Sequence, residues 1–188
     1  MNTVNTQPSN INGLDPAALA EEVVAVTADP ASGLLHFDVA TQWRGGFHSE
    51  SRTRSLSAAG EELEREHCIV ADEPTELLGA NKGPNPQELA LAALNACMTV
   101  GFVAGCATHG IELESLEIRT QCDIDLRGFL AIDDSVPAGA PVWTTQIVPK
   151  GNGTPEQFAA ILEHVKKTSP NFFHAVEALS VDATIASD

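Results

Sequence analysis

Residues 83–110 decide the fold, and they read GPNPQELALAALNACMTVGFVAGCATHG. Asn85 suits the N-cap of a helix, Pro86 suits its first position, and Glu88 places a negative charge where the helix dipole favours it. The rest of the stretch is apolar nearly all round, which is typical of a helix covered by other parts of a protein. The sequence therefore predicts a long buried helix from about Pro86 to His109.

Three strands are predicted ahead of this helix. Residues 34–43 alternate apolar and polar side chains, which is the period of a half-buried strand. Gly45-Gly46 marks a turn, and residues 47–57 and 63–71 are expected to form the second and third strands. A loop rich in Pro and Gly, residues 72–86, then leads into the long helix.

Two strands, a helix and a final strand are predicted after it. Residues 111–126 and 142–148 have strand patterns, and Thr154-Pro155 opens an amphipathic helix that runs through Lys167. Ser169-Pro170 breaks that helix, and residues 179–185 are expected to close the domain as a strand. This order of elements predicts an α+β fold, with antiparallel sheets around the long central helix.

The N-terminal region differs in composition from the rest of the chain. Residues 1–12 are polar and are expected to be disordered, residues 13–32 form a helical extension, and residues 33–188 form the main domain. The net charge of −16 argues against nucleic-acid or anionic membrane partners. No signal-peptide pattern and no uninterrupted apolar membrane span are visible, so a cytoplasmic protein is expected.

The four cysteines show neither a CxxC pair nor the spacing of zinc ligands, and no two of the six histidines are four residues apart. We therefore expect no metal and no cofactor. Cys97 lies about three turns into the central helix. It is either a small core side chain or a reactive thiol, and the second reading requires a nearby cation or hydrogen-bond donor that stabilises the thiolate.

The stretch from Gly83 to Cys97 resembles the signature of the OsmC/Ohr superfamily, in which an Asn-Pro-x-Glu-Leu helix start leads to an Ala-Cys pair. Residues 110–117 resemble the family's passage from this helix into a strand, and residues 125–130 resemble a segment of one OsmC-like branch. The resemblance runs from about Trp43 to Ile185. It implies an OsmC-like domain over residues 33–188 and an intertwined homodimer with its sites at the subunit interface.

The resemblance also implies a chemistry. The classic members are thiol peroxidases that reduce organic hydroperoxides with one cysteine and resolve the product with a second. Cys97 matches the first, peroxidatic cysteine, but Ser169 stands where the classic members carry the second. The chain therefore resembles a branch that lacks the second cysteine, and an external thiol is expected to act as the resolver.

The family's glutamate and arginine are placed less directly. Glu88 is the expected glutamate, although Gln87 occupies the position directly after Asn-Pro. Arg52 is the favoured arginine, with Arg44 and Arg54 as alternatives.

The other cysteines are expected to be inert. Cys106 comes nine residues after Cys97 on the same helix, which places it on the opposite face and about 13 Å further along the axis. A disulfide requires Cα atoms within about 7 Å, so this pair is excluded. Cys68 and Cys122 lie on predicted strands and are interpreted as buried residues.

Two classes of function remain open. One is a cysteine-dependent peroxidase that uses Cys97 and an external thiol. The alternative is a non-catalytic small-molecule-binding or stress-related protein that retains the OsmC fold. The presence of Cys97 favours the first, and Ser169 favours the second.

Overall fold

The structure is a computed structural model, and it describes residues 10–186. The chain forms two compact units, one ending at Leu91 and the other beginning at Ala92. The helices and strands, in chain order, are α1 Pro16–Ala28, β1 Leu35–Trp43, β2 Ser49–Ala58, β3 Glu61–Leu63, β4 Cys68–Ala71, α2 Pro86–Thr108, β5 Leu113–Cys122, α3 Leu126–Phe129, β6 Trp143–Gly151, α4 Pro155–Thr168 and α5 Pro170–Val176. The α+β class and the antiparallel sheets predicted from the sequence are confirmed.

The first unit is built on an antiparallel sheet in which β2 pairs with β1, β3 and β4. The single third strand predicted over residues 63–71 is wrong, because β3 and β4 pair with different parts of β2. The charged segment between β3 and β4 does not pair in the sheet. Thr53 on β2 fixes the position of this segment, since its hydroxyl donates to the Arg65 carbonyl and accepts the His67 N–H.

A buried carboxylate organises the loop that precedes α2. Asp72 is 1% exposed, and its carboxylate accepts the backbone N–H groups of Glu73, Ala80 and Lys82. A buried carboxylate needs such donors to offset the loss of water. Asp72 therefore fixes the course of the predicted loop into the start of α2.

The second unit packs α2 against α4 and the β5–β6 pair. Its core consists of Leu94, Met98, Phe102 and Cys106 from α2, Ile111 after it, and Ile161 and Val165 from α4. The predicted central helix is confirmed, with its end at Thr108. Within residues 10–186, only α2 is long and apolar enough to cross a membrane, a test that core helices of soluble proteins also pass.

The second unit also departs from the sequence predictions. The strand predicted over residues 111–126 ends at Cys122, because Asp125 caps the short helix α3 and turns the chain away. Within the residues that the structure describes, the strand predicted over residues 179–185 is absent: Leu179, Val181 and Ile185 are exposed and lie outside any sheet.

At the N-terminus, the predicted helix is present as α1. The segment predicted to be disordered, residues 1–12, lies outside the described residues except for residues 10–12.

Candidate functional site

Cys97 is a partly exposed side chain on α2, between the buried side chains of Leu94 and Met98. Its sulfur faces the segment that joins α4 to α5. There the hydroxyl of Ser169 donates a hydrogen bond to Cys97 Sγ, with Oγ and Sγ 3.2 Å apart. Cys97 and Ser169, the two positions that the family resemblance matches to the two cysteines of the classic members, are therefore in direct contact.

Ser169 is fixed from both sides. Its backbone N–H donates to the Val165 carbonyl at the end of α4, and its side chain caps α5 by accepting the Phe172 N–H at 3.3 Å. Pro170 occupies the first position of α5, which suits a residue without an N–H group. The residue is only 5% exposed, so its hydroxyl has little access to water.

A second contact secures the start of α5. The Asn171 side-chain amide donates to the Ala93 carbonyl at 2.8 Å, one turn of α2 before Cys97. Neither α5 nor Asn171 is predicted from the sequence, where Ser169-Pro170 is interpreted only as the end of a helix. The signal was available: Ser followed by Pro is a helix N-cap and first position as well as a helix end.

The other three cysteines have different environments, and all four are free. Cys106 is a core residue, as predicted, with 0% exposure, and burial raises the pKa of its thiol. Cys122 is partly buried at the end of β5. The prediction that Cys68 is buried is wrong. Cys68 is exposed on β4, directly opposite Arg52 in the ladder with β2.

Glu88 lies in the first turn of α2, where it belongs to the helix cap. Its carboxylate accepts the Asn85 N–H, and its own N–H donates to the Asn85 side chain, both at 2.8 Å. This reciprocal pair is a capping box. Glu88 and Gln87 are both exposed and both belong to the unit that ends at Leu91. A role for Glu88 beside Cys97 stays a prediction.

The candidate arginines cluster on the same unit, around Glu50. Arg44 donates two hydrogen bonds to the Glu50 carboxylate, at 3.0 and 3.1 Å, and holds the pKa of that carboxyl below its ordinary value. Arg52 lies 3.6 Å from the same carboxylate, and its side chain is 62% exposed. Arg54 is exposed as well. Arg44 therefore contacts Glu50 more closely than Arg52 does, and the choice of Arg52 stays a prediction.

A cleft of about 570 Å³ opens between the end of β5 and the loop after α3. It is lined by Asp123, Ile124, Asp125, Leu126, Val136, Pro137, Gly139 and Pro141. The Arg127 guanidinium pairs with Asp125 at 2.6 Å and lowers the pKa of that carboxyl to about 2. Within residues 10–186, no group of three or more His, Cys, Asp or Glu side chains is placed to hold a metal ion.

The OsmC-like protein family model matches residues 79–182, more than half of the chain. The protein belongs to the OsmC-like family.

Solved structures of the family share its fold. An OsmC-like protein from Mycoplasma pneumoniae aligns with a TM-score of 0.57 at 12% identity, over 74% of this chain and 86% of that one. An OsmC-like protein of unknown function from Vibrio cholerae aligns with a TM-score of 0.50 at 14% identity, over 76% of this chain and 94% of that one. No curated protein matches the sequence.

Proposed function

We propose that this protein is a cysteine-dependent thiol peroxidase that reduces organic hydroperoxides, with Cys97 as the peroxidatic residue and an external thiol as the resolver. One observation carries the proposal: the partly exposed Cys97 sulfur accepts a hydrogen bond from the buried Ser169 hydroxyl. Membership in the OsmC-like family supports the same assignment. A partly exposed thiol is open to a substrate, and the contact brings together the two positions that the family resemblance compares with the two cysteines of the classic members.

The reaction takes place in three steps. The Cys97 thiolate attacks the terminal peroxide oxygen, the O–O bond breaks, and the alkoxide leaves as an alcohol after it takes up a proton. The resulting sulfenic acid condenses with one external thiol, which forms a mixed disulfide and releases water. A second thiol attacks the mixed disulfide on the external sulfur, which regenerates the Cys97 thiolate and releases the oxidised disulfide.

Steady-state reduction of an organic hydroperoxide tests this proposal. Cumene hydroperoxide should be consumed by the wild-type protein with a monothiol, a dithiol or both, and Cys97→Ser should reduce the rate to that of buffer and thiol alone. Cys122→Ser is the matched control, since it removes another partly buried thiol and should retain turnover. Wild-type activity that survives in Cys97→Ser, or is absent with every thiol, would refute the proposal.

We also propose that Arg52 and Glu88 together hold the thiolate and its partner in place, as the family resemblance implies. The rate of Cys97 alkylation at neutral pH distinguishes the candidates, because loss of a stabilising cation lowers the thiolate fraction. Arg44→Ala, Arg52→Ala and Arg54→Ala should be compared, together with Glu88→Gln and Gln87→Ala. A decrease in Arg44→Ala alone would transfer the role to the arginine that pairs most closely with Glu50.

A homodimer is part of the same proposal. Each unit exposes apolar side chains that a soluble chain normally covers: alternate residues of β1, namely Leu35, Phe37 and Val39, and Val100 on α2, which is 70% exposed. A second copy of the chain would cover such surfaces. Light scattering should give twice the chain mass at micromolar concentration, and a monomer would contradict the assembly.

The alternative is a non-catalytic small-molecule-binding protein. Ser169 favours it, because a serine cannot form the intramolecular disulfide of the classic peroxidases. The cleft beside Asp125 offers a volume in which a small ligand would fit. The turnover assay separates the two functions, since a binding protein would consume no hydroperoxide with any thiol.

A further inference from the structure

The side chain of Ser169 is buried and makes hydrogen bonds to both Cys97 and the start of α5. Its side chain lies 3.2 Å from the Cys97 sulfur, and the residue is only 5% exposed. The same oxygen accepts the Phe172 N–H, so one of its two lone pairs is occupied by the cap of α5. A hydroxyl has one hydrogen to donate, and the structure directs it at the sulfur.

We propose that Ser169 is a positioning residue of the thiol site, whose hydroxyl donates to the Cys97 thiolate in place of the second cysteine found in classic members. The residue does not touch the substrate and acts only through Cys97. This inference deepens the proposed function and rests on it for its catalytic meaning. The hydrogen bond from the Ser169 hydroxyl is tested separately, by measuring the reactivity of the Cys97 thiol in the absence of peroxide.

Charge explains why the donor matters. A hydrogen bond to an ionised acceptor is stronger than one to a neutral acceptor, so the hydroxyl stabilises the thiolate more than the thiol. Water cannot easily replace the donor, because the residue is buried between α4 and α5. The Asn171 contact with the Ala93 carbonyl keeps the start of α5 against α2, and so keeps the hydroxyl within reach of the sulfur.

The test is the rate of Cys97 alkylation by iodoacetamide as a function of pH, followed peptide by peptide in the full chain. In Ser169→Ala, we expect alkylation of Cys97 to be about tenfold slower near neutral pH, with the rise in rate displaced to higher pH and the plateau retained. Ser169→Thr keeps a hydroxyl and should restore most of the wild-type rate. The exposed Cys68 provides an internal reference that should not change.

A purely structural role must be separated from this one, since Ser169→Ala also removes the cap of α5. Thr154→Ala is the matched control: it removes the capping box of α4, with a comparable loss of stability, and should leave the Cys97 profile unchanged. Ser169→Gly, which keeps a favourable cap residue but lacks the donor, should behave like Ser169→Ala.

Superimposable Cys97 profiles for the wild type, Ser169→Ala and Ser169→Gly would overturn the proposal, as would an equal shift in Thr154→Ala. If the Cys97 profile shifts in the Ser169 variants but the wild-type protein consumes no hydroperoxide, the donor role of Ser169 is supported and the proposed peroxidase activity is refuted. The two failures are therefore distinguishable.

Discussion

Cys97 and Cys106 occupy the same helix, nine residues apart, and differ in everything that decides the chemistry of a thiol. Cys97 is partly exposed and faces a hydroxyl donor from the segment between α4 and α5. Cys106 is wholly buried among apolar side chains, and burial raises its thiol pKa. Both residues lie on α2, and burial is what raises the pKa of the Cys106 thiol. The difference therefore lies in what the neighbouring elements place opposite each sulfur.

The contrast has a physical basis in how α4 approaches α2. Near Cys106 the two helices approach closely, since a Cβ at Gly105 would lie only 2.9 Å from Ile161 Cγ2. The rings of Phe102 and Phe158 also stack there, with centroids 6.1 Å apart. Near Cys97, α4 ends, and Ser169 turns the chain into α5. A polar group becomes available to the sulfur because the apolar contact of α4 stops one turn earlier, at Val165.

The largest expected effect comes from converting the donor into a second thiol. In Ser169→Cys, one equivalent of hydroperoxide should produce an intramolecular disulfide with Cys97, seen by intact mass as the loss of two hydrogens. The Ser169 oxygen already lies 3.2 Å from the Cys97 sulfur, and an S–S bond of about 2.05 Å requires only a small further approach. Excess peroxide should then leave the variant protected from oxidation to the sulfinic acid.

The wild-type chain provides the opposite outcome. It should gain one oxygen, or form a mixed disulfide with an added small thiol, and excess peroxide should drive it to the sulfinic acid. The double variant Ser169→Cys/Cys97→Ser is the control and should lose no hydrogens. Loss of two hydrogens in the wild-type monomer would mean that Cys68 or Cys122 resolves Cys97, contrary to our interpretation of both.

The sequence was sufficient to predict the helix that carries the two cysteines and the helix that ends before Ser169, because these depend on hydrophobic periodicity and helix caps. Pro86 with Asn85 and Glu88 fixes the start of α2, and its apolar content places it in a core. The 100° step of a helix separates Cys106 from Cys97. Local patterns of this kind are read from a single segment, so α2, α4 and the buried state of Cys106 were predicted.

The pairing of strands and the contacts between distant segments could not be predicted from local sequence patterns. The segment 63–71 has strand character, but only the register on β2 shows that it divides into β3 and β4. The alternation in residues 179–185 satisfies a strand pattern, yet a strand also requires a neighbour, and none of the described residues pairs with this segment. Ser169 was identified as the missing resolver, but its role as a donor depends on a contact between residues 72 positions apart.

A smaller effect is expected where α4 approaches α2. A Cβ at Gly105 would lie 2.9 Å from Ile161 Cγ2, whereas a Cβ at Gly101 would lie 3.3 Å from Val165 Cγ2. Each Gly→Ala change gains up to about 1 kcal/mol of helix propensity, and overpacking costs roughly 1–3 kcal/mol. Gly105→Ala should therefore lower the free energy of unfolding by about 1 kcal/mol, and Gly101→Ala should be close to neutral.

Urea unfolding of the two variants measures this difference, and the slope of unfolding against urea should be unchanged. The pair sharpens the comparison between the two cysteines, because it asks whether the helices are held more tightly beside Cys106 than beside Cys97. Equal destabilisation of both variants, or a stabilised Gly105→Ala, would contradict that reading of the packing.

The smallest expected effect is a pH dependence that belongs to Cys106. Burial raises the pKa of its thiol in the folded state above the ordinary value of 9.0, so above that pH the unfolded chain loses this proton more readily than the folded one. The stability that the neutral buried thiol provides is fully present below pH 9.0 and is lost as the pH rises towards the folded pKa, with a slope of at most about 1.4 kcal/mol per pH unit. Cys106→Ala should remove this part of the slope between pH 8 and 10, as measured by urea unfolding, even though it lowers the stability at every pH through the cavity it leaves. Cys68→Ala is the matched control, because it removes an exposed thiol and leaves Cys106 in place, so the slope that belongs to Cys106 should remain. If Cys106→Ala and Cys68→Ala gave the same slope as the wild type, Cys106 would ionise as freely in the folded chain as in the unfolded one, and burial would not be what separates it from Cys97.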